Sequence, residues 1–188
     1  MKTTLDNIAE IKTGLFAKPE SKGQVVYLQA RDFDENGKLL SELFPGLKND
    51  ESVKNHLLQP GDVLFAAKGT KNFATVYEIH NQTCVASTSF FVIRIKETKL
   101  LPDYLAWSLN HPDIQSHLKM KAKGTSIPSI TKSVLEKVEL SIPPVETQHL
   151  ILEIIKLKEK EKTLKKRIDI LKDQKVQQII MKAINQIS

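Results

Sequence analysis

The sequence is poor in cysteine and lacks any long run of apolar residues. Cys84 is the only cysteine among 188 residues, which excludes a disulfide-stapled scaffold and a cysteine-rich zinc site and is typical of a reducing compartment. No apolar stretch approaches the ~20 residues that a membrane-spanning helix needs, and the first residues show no apolar leader. We therefore expect a cytoplasmic protein with no membrane partner.

The motifs of common enzyme classes are also missing. The sequence contains no glycine-rich phosphate loop, no dinucleotide-binding fingerprint, no zinc-protease motif and no nucleophile elbow. Two Glu-x-Lys triplets, at 10–12 and 20–22, have no preceding Pro-Asp pair and are interpreted as surface ion pairs rather than a nuclease site. The five histidines form no pair with a four-residue spacing. We expect no catalytic residue, no metal site and no cofactor.

The last 44 residues contain no glycine, no proline and no aromatic residue. The boundary falls at Pro143-Pro144, because proline and the residue before it both resist helix formation. Residues 145–188 consist largely of Lys, Glu, Gln, Ile and Leu, which is the composition of one long helix. We therefore predict two parts, a domain over residues 1–143 and a long helix over residues 144–188.

The predicted helix carries a row of apolar residues and a surplus of basic ones. Ten basic and six acidic residues give residues 145–188 a net charge of +4, a surplus that either a polyanionic partner or solubility alone would explain. The apolar residues recur at alternating spacings of four and three, with a slip after Leu171. A single helix cannot bury this row, so we predict pairing with a second copy. The row consists of Leu150, Ile154, Leu157, Leu164, Ile168, Leu171, Val176 and Ile180.

Residues 1–143 show the mixed pattern of an α+β domain. Short β-rich runs alternate with helix signals such as proline at a first helical turn. Residues 73–79 and 83–95, separated by His-Asn-Gln, predict a hairpin. Thr4 and Thr131 are predicted to cap short helices. The predicted fold class is therefore a mixed α/β domain followed by a long C-terminal helix.

Two predicted turns combine lysine with glycine and with small hydroxyl or amide side chains. Lysine neutralises phosphates, glycine lets backbone amides come close to them, and Asn, Thr or Ser can hydrogen-bond to base edges. Ordinary solvated turns would show the same composition. The candidate DNA-binding residues are Lys68, Gly69, Thr70, Lys71 and Asn72 in the first turn and Lys121, Lys123, Thr125 and Ser126 in the second.

The order of several short motifs resembles that of the specificity subunits of type I restriction–modification enzymes. The most distinctive motif is LSIPPVETQ at 140–148, and the set spans nearly the whole chain. The other motifs are LDNIAEIKTG at 5–14, YLQARDF at 27–33, LQPGDVLFAAKG at 58–69, PDYLAWSLN at 102–110 and GTSIPSI at 124–130. Family members usually carry two recognition domains and two long helices, whereas this chain matches one of each, so the resemblance implies a half-length form.

The resemblance implies a non-catalytic protein that recognises DNA. In that family the recognition domain binds one half of a bipartite site, and the long helices pair antiparallel as a coiled coil and dock methyltransferase subunits. For this chain it implies three kinds of partner: double-stranded DNA, a second copy of itself, and the methyltransferase (modification) subunits with, through them, the restriction subunit. By position, the two lysine-rich turns are the candidate DNA contacts, whereas Gly61-Asp62 and residues 142–144 are expected to be architectural.

Two other functions remain open from the residues themselves. A coiled-coil interaction protein whose α/β head binds a protein or a small ligand would show the same helix pattern. An autonomous DNA-cleaving enzyme is the more remote alternative, because the sequence lacks an acidic cluster. Phosphate-dominated binding falls steeply with added salt, whereas an apolar protein contact does not. Salt dependence therefore separates DNA recognition from the interaction-protein alternative.

Overall fold

Strands and helices build the first of two units into which the chain folds, residues Met1–Gln148, and a single long helix makes up most of the second, His149–Ser188. The computed structural model describes residues 2–20, 22–34, 37–40, 42–69, 72–78, 82–124 and 128–185. The predicted fold class, a mixed domain followed by a long C-terminal helix, is confirmed, while the pairing of that helix stays a prediction. In the described ranges no helix combines the length and apolar character needed to cross a membrane.

The described elements of the first unit are short and follow one another closely. In chain order they are β1 (Lys2–Thr4), α1 (Leu5–Ile8), β2 (Ala9–Thr13), β3 (Val25–Leu28), a 3-10 turn (Ala30–Asp32), β4 (Pro45–Leu47), α2 (Glu51–Lys54), β5 (Val63–Ala66), β6 (Ala74–Val76), β7 (Cys84–Ala86), β8 (Phe90–Ile95), α3 (Pro102–Asn110), α4 (Pro112–Met120), α5 (Lys132–Glu136) and β9 (Glu139–Ser141). The long helix α6 (Val145–Asn185) follows.

The residues at the helix starts explain where α3, α4 and α5 begin. Proline opens both α3 and α4, where its missing N–H would have had no partner in the helix. The Thr131 hydroxyl accepts from the backbone N–H of Val134 (3.4 Å), as predicted for the cap of α5. Thr4 stands at the start of α1, but its hydroxyl donates to the Asp6 carboxylate and makes no capping bond.

A four-stranded antiparallel sheet in the order β2–β8–β5–β6 forms the centre of the first unit. β8 pairs with β2 on one side, from Ala9↔Ile95 to Thr13↔Phe91, and with β5 on the other. Every residue of β5 is buried. The carboxyl ends of β2 and β5 and the amino ends of β8 and β6 therefore meet at the same end of the sheet.

The hairpin predicted for residues 73–79 and 83–95 is wrong. β6 pairs with β5, and β8 lies between β5 and β2. β7 leaves this sheet and runs parallel to β3 in a three-stranded sheet of order β4–β3–β7. A turn signal is local, whereas the partner of each strand is decided by burial against distant segments, so adjacency in sequence misled the prediction.

The first turn of α6 is anchored by the buried side chain of Gln148. Its Nε2 donates to the backbone carbonyls of Lys99 (2.7 Å) and Pro143 (2.9 Å). Its Oε1 accepts from the backbone N–H of Leu101 (2.9 Å). Three backbone groups thus depend on one side chain, so the last residue of the 140–148 motif is a structural anchor.

The carboxylate of Asp62, at the entry of β5, is buried and forms a bidentate ion pair with Arg94 of β8. Arg94 Nε donates to Oδ1 (2.8 Å) and Nη2 to Oδ2 (2.7 Å), and Nη2 also reaches the Leu57 carbonyl (3.3 Å). The hydrogen bonds that Arg94 donates to Asp62 raise the pKa of Arg94 above its usual value. The backbone N–H of Gln59 donates to the same carboxylate (2.8 Å). Gly61-Asp62 therefore holds the turn into β5.

Candidate nucleic-acid interface

The two lysine-rich turns predicted from the sequence lie side by side, although they are far apart in the chain. The backbone of Ser129 pairs with Lys68 on one side and with Lys123 on the other. Lys123 and Ser129 exchange both of their backbone hydrogen bonds (3.0 and 2.8 Å), and the Gly69 N–H donates to the Pro128 carbonyl (2.9 Å). The turn after β5 and the turn after α4 are thus parts of one surface.

Each turn bends at a glycine whose backbone lies in the left-handed region. The φ angles are +102° at Gly69 and +104° at Gly124, a conformation that residues with a Cβ rarely adopt. At Gly69 no described atom lies within 4 Å of the position a Cβ would take. Its requirement is therefore conformational.

The described lysines of these turns have no acidic partner. Lys68, Lys121 and Lys123 are exposed, and no described carboxylate lies within ion-pair distance of any of them. Elsewhere, ion pairs hold Lys12, Lys48, Lys54, Lys132 and Lys165. Ammonium groups without a competing carboxylate are available to phosphates.

Of the remaining predicted DNA contacts, the structure describes only Asn72. The half-buried Asn72 donates from Nδ2 to the Ala66 carbonyl (2.9 Å), so this part of its amide holds the turn closed. The other four candidates, Thr70, Lys71, Thr125 and Ser126, lie outside the described residues.

Five backbone segments cross one end of the four-stranded sheet, and we call them the sheet-end surface. In spatial order they are residues 14–15, 87–90, 67–69, 128–130 and 122–124. The Gly14 N–H donates to the Phe90 carbonyl (3.0 Å). The Ala67 N–H donates to the Ser89 carbonyl (2.9 Å), and the Ala67 carbonyl accepts from the Ile130 N–H (2.9 Å). Hydrogen-bonded strands lie ~4.8 Å apart, so the four spacings span about 19 Å.

The sequence around the sheet-end surface is basic. At its outer edge Phe16 lines a small pocket together with Glu20 and Asp50. The stretches of sequence around the five segments, residues 13–18, 66–72, 86–91 and 119–130, contain none of the 22 Asp and Glu residues of the chain. They do contain six lysines: Lys18, Lys68, Lys71, Lys119, Lys121 and Lys123. Such a surface attracts a polyanion.

Residues 1–182 match the family model described as the type I restriction modification DNA specificity domain. The chain belongs to this family. The resemblance seen in the motifs is thereby confirmed, and two polar residues of these motifs, Asp62 and Gln148, make hydrogen bonds within the fold.

Relatives of this specificity-domain chain are longer than the chain itself. It is 28% identical over 134 residues to the type I restriction enzyme HindI specificity subunit of Haemophilus influenzae, covering 70% of this chain and 29% of that one. The HsdS subunit from Thermoanaerobacter tengcongensis is similar with a TM-score of 0.59 and 18% identity, over 86% of this chain and 37% of the other. The type I restriction–modification S subunit from M. genitalium is similar with a TM-score of 0.57 and 16% identity, over 84% of this chain and 38% of the other. The chain thus spans less than two fifths of the length of these relatives.

One residue of the site was missed by sequence reasoning. Ser129, which joins the two turns, carries no local signal, since its partner Lys68 lies 61 residues away in the chain. Ser129 belongs to the 124–130 motif, which was the one available hint.

The described residues contain no group of three His, Cys, Asp or Glu side chains placed to hold a metal ion. Cys84 is buried in β7, and burial raises the pKa of its thiol. It is therefore a packed residue, as its apolar surroundings in the sequence predict.

The apolar row predicted along α6 is uncovered in the single chain. Its members are between 45% and 65% exposed, although Leu and Ile side chains gain roughly 1.5–3 kcal/mol each from full burial. These residues are Leu150, Ile154, Leu157, Leu164, Ile168, Leu171, Val176 and Ile180.

Proposed function

We propose that this chain is the DNA-recognition subunit of a type I restriction–modification system and acts without catalysing a reaction itself. It reads one half of a bipartite site in double-stranded DNA and directs methyltransferase and restriction subunits to that site. The observation that carries the proposal is the convergence of two lysine-rich turns, both of which lie in stretches of sequence without acidic residues. Membership of the DNA specificity family supports the same function.

The proposed DNA contacts are of two kinds, those to phosphates and those to base edges. Lys68, Lys121 and Lys123 bind phosphates, which positions the domain on the duplex without reading its sequence. Gly69 lacks a side chain, and no described atom lies within 4 Å of its Cβ position, so a phosphate can approach the main chain there. Hydroxyl and amide groups of the same turns then reach base edges, and these are Thr70, Asn72, Thr125 and Ser126.

The long helix is proposed to pair with that of a second copy and to space two recognition domains. Its 41 residues give a rod of about 61 Å at ~1.5 Å per residue. A two-fold dimer would read an inverted repeat. Its two half-sites would lie one or two ~34 Å turns of the duplex apart.

The charge distribution along α6 favours antiparallel pairing. Residues 146–155 contain two acidic and no Lys or Arg residues, whereas residues 172–182 contain three basic and one acidic residue. Antiparallel helices would bring these oppositely charged ends together, while parallel helices would align like charges.

Replacing two members of the apolar row by glutamine should abolish the dimer. The variant Leu164→Gln/Ile168→Gln puts polar amides at the centre of the proposed seam while retaining helix propensity. We expect the wild-type chain to sediment as a dimer and the variant as a monomer at low micromolar concentration, measured by analytical ultracentrifugation.

The matched control is Lys162→Gln/Lys166→Gln. These positions lie about 200° around the helix from Leu164, and their side chains are exposed, so the control should remain dimeric. Shortening the chain after Leu171 should weaken the dimer in the same way as the seam variant. A seam variant that stays dimeric would contradict pairing through this row.

A methylation map tests the proposed function directly. The chain is co-expressed with a methyltransferase (modification) subunit of a type I system, and the host DNA is sequenced for methylated bases. A gapped inverted-repeat motif that disappears when this chain is deleted is the expected result. A gapped asymmetric motif would retain the recognition role but replace the homodimer by two different half-subunits. An active methyltransferase that adds no motif would contradict the proposal.

A further inference from the structure

In the half of the sheet-end surface farthest from the lysine turns, residues 14–16 and 86–91 carry no charge, and Lys18 follows two residues after Phe16. There, the segment after β2 lies beside the turn that joins β7 to β8, since the Leu15 N–H donates to the Ala86 carbonyl (2.8 Å). The turn consists of Ser87, Thr88 and Ser89. The Ser87 hydroxyl accepts from the Ser89 N–H (3.4 Å) and so serves the turn itself.

Two side chains of this half have no structural task that the described residues reveal. The half-buried Thr88 makes no side-chain hydrogen bond with any described group. Phe16 follows directly after the paired Leu15 and is 77% exposed. A hydrogen-bonding hydroxyl and a large aromatic ring thus lie beside a lysine-bearing surface, within one to four strand spacings of Lys68 and Lys123.

Phosphates and base edges are bound by different kinds of side chain. Phosphates are held by cations, whereas base edges are distinguished by neutral hydrogen-bonding groups and by apolar contacts such as that of Phe with a thymine methyl group. The sheet-end surface spans about 19 Å, which equals about six base-pair steps of ~3.4 Å. Its lysine half and its neutral half can therefore meet one short stretch of duplex at the same time.

We propose that Thr88 and Phe16 are specificity-determining residues that contact base edges, while the neighbouring lysines hold the phosphates. The proposal rests on the proposed DNA-recognition function and adds the part of the surface that discriminates sequence. The Thr88 hydroxyl donates to or accepts from a base edge, and the Phe16 ring makes the apolar contact.

The experiment compares binding to two duplexes. A randomised duplex library is first selected with the full wild-type chain, and the enriched duplex and an unrelated one serve as probes. Thr88→Val and Phe16→Ala should each weaken binding to the enriched duplex by about 5- to 100-fold, the range for loss of one base contact. Binding to the unrelated duplex and the slope of log affinity against log salt should be unchanged, because no phosphate contact is lost.

Matched controls come from the same residue types elsewhere in the unit. Phe44 is 78% exposed and lies next to β4, and Thr98 is exposed beyond the opposite end of β8. Phe44→Ala and Thr98→Val should bind both duplexes like the wild type, and circular dichroism should show all four variants folded.

The outcomes separate the two proposals. Folded Thr88 and Phe16 variants that bind the enriched duplex like the wild type, or that lose both duplexes equally, would overturn the specificity role alone. A wild-type chain that shows no salt-dependent DNA binding would overturn the proposed function and this inference with it.

Discussion

Replacing Lys68, Lys121 and Lys123 together by alanine is expected to weaken DNA binding roughly 100-fold at low salt, since each ammonium–phosphate pair contributes ~1 kcal/mol at the water-exposed surface. The loss should be the same for cognate and unrelated duplexes, because phosphates carry no sequence information. The slope of log affinity against log salt should become shallower by about 2.7, at ~0.9 per phosphate contact. Fluorescence anisotropy over a series of salt concentrations measures both quantities.

A control with the same change of net charge separates a local contact from a general attraction. The variant Lys2→Ala/Lys96→Ala/Lys99→Ala removes three exposed lysines that lie outside the sheet-end surface. Both variants lower the formal charge from +6 to +3. Equal losses of affinity and slope in the two variants would mean that the lysine turns are not the contact site.

The long helix and the lysine turns could be predicted because their signals are local. Composition changes at Pro143-Pro144, and α6 begins at Val145 in the structure. The meeting of the two turns could not be predicted in the same way, since it depends on the backbone of Ser129 pairing with Lys68 and Lys123 at once. Backbone pairing between distant segments leaves no periodic pattern in a sequence.

Polar residues of the motifs bond to backbone groups that lie far away in the chain. Asn110 closes α3 and bonds to both backbone groups of Ala74 through Oδ1 (2.8 Å) and Nδ2 (2.7 Å). The Tyr104 hydroxyl donates to the Ser141 carbonyl (2.9 Å). Polar residues of the motifs thus contribute hydrogen bonds within the fold. Two of the same motifs, at 58–69 and 124–130, also contain candidate DNA contacts, namely Lys68, Gly69, Thr125 and Ser126. Recognition of the family was therefore reliable for the scaffold, whereas the DNA-binding role of the two lysine-rich turns stays a prediction.

Arg94→Met should lower the free energy of unfolding of the first unit by about 3–5 kcal/mol, because it leaves the buried Asp62 carboxylate without its cation. Asp62 is 1% exposed, and the bidentate contact is the one ion pair that the described residues offer it. Urea unfolding followed by the fluorescence of Trp107 measures this change. Trp107 is the only tryptophan and lies in α3, so the signal reports on the first unit and not on the long helix.

Two further variants decide whether the loss comes from the ion pair. Arg31→Met removes an exposed arginine that has no described acidic partner, and it should change stability by less than ~0.5 kcal/mol. In Asp62→Asn/Arg94→Met the buried charge is gone, while the amide oxygen still accepts from the Gln59 N–H. The double variant should therefore be more stable than Arg94→Met by at least ~1 kcal/mol. A double variant less stable than Arg94→Met would mean that packing of the arginine stem, rather than neutralisation of Asp62, accounts for the loss.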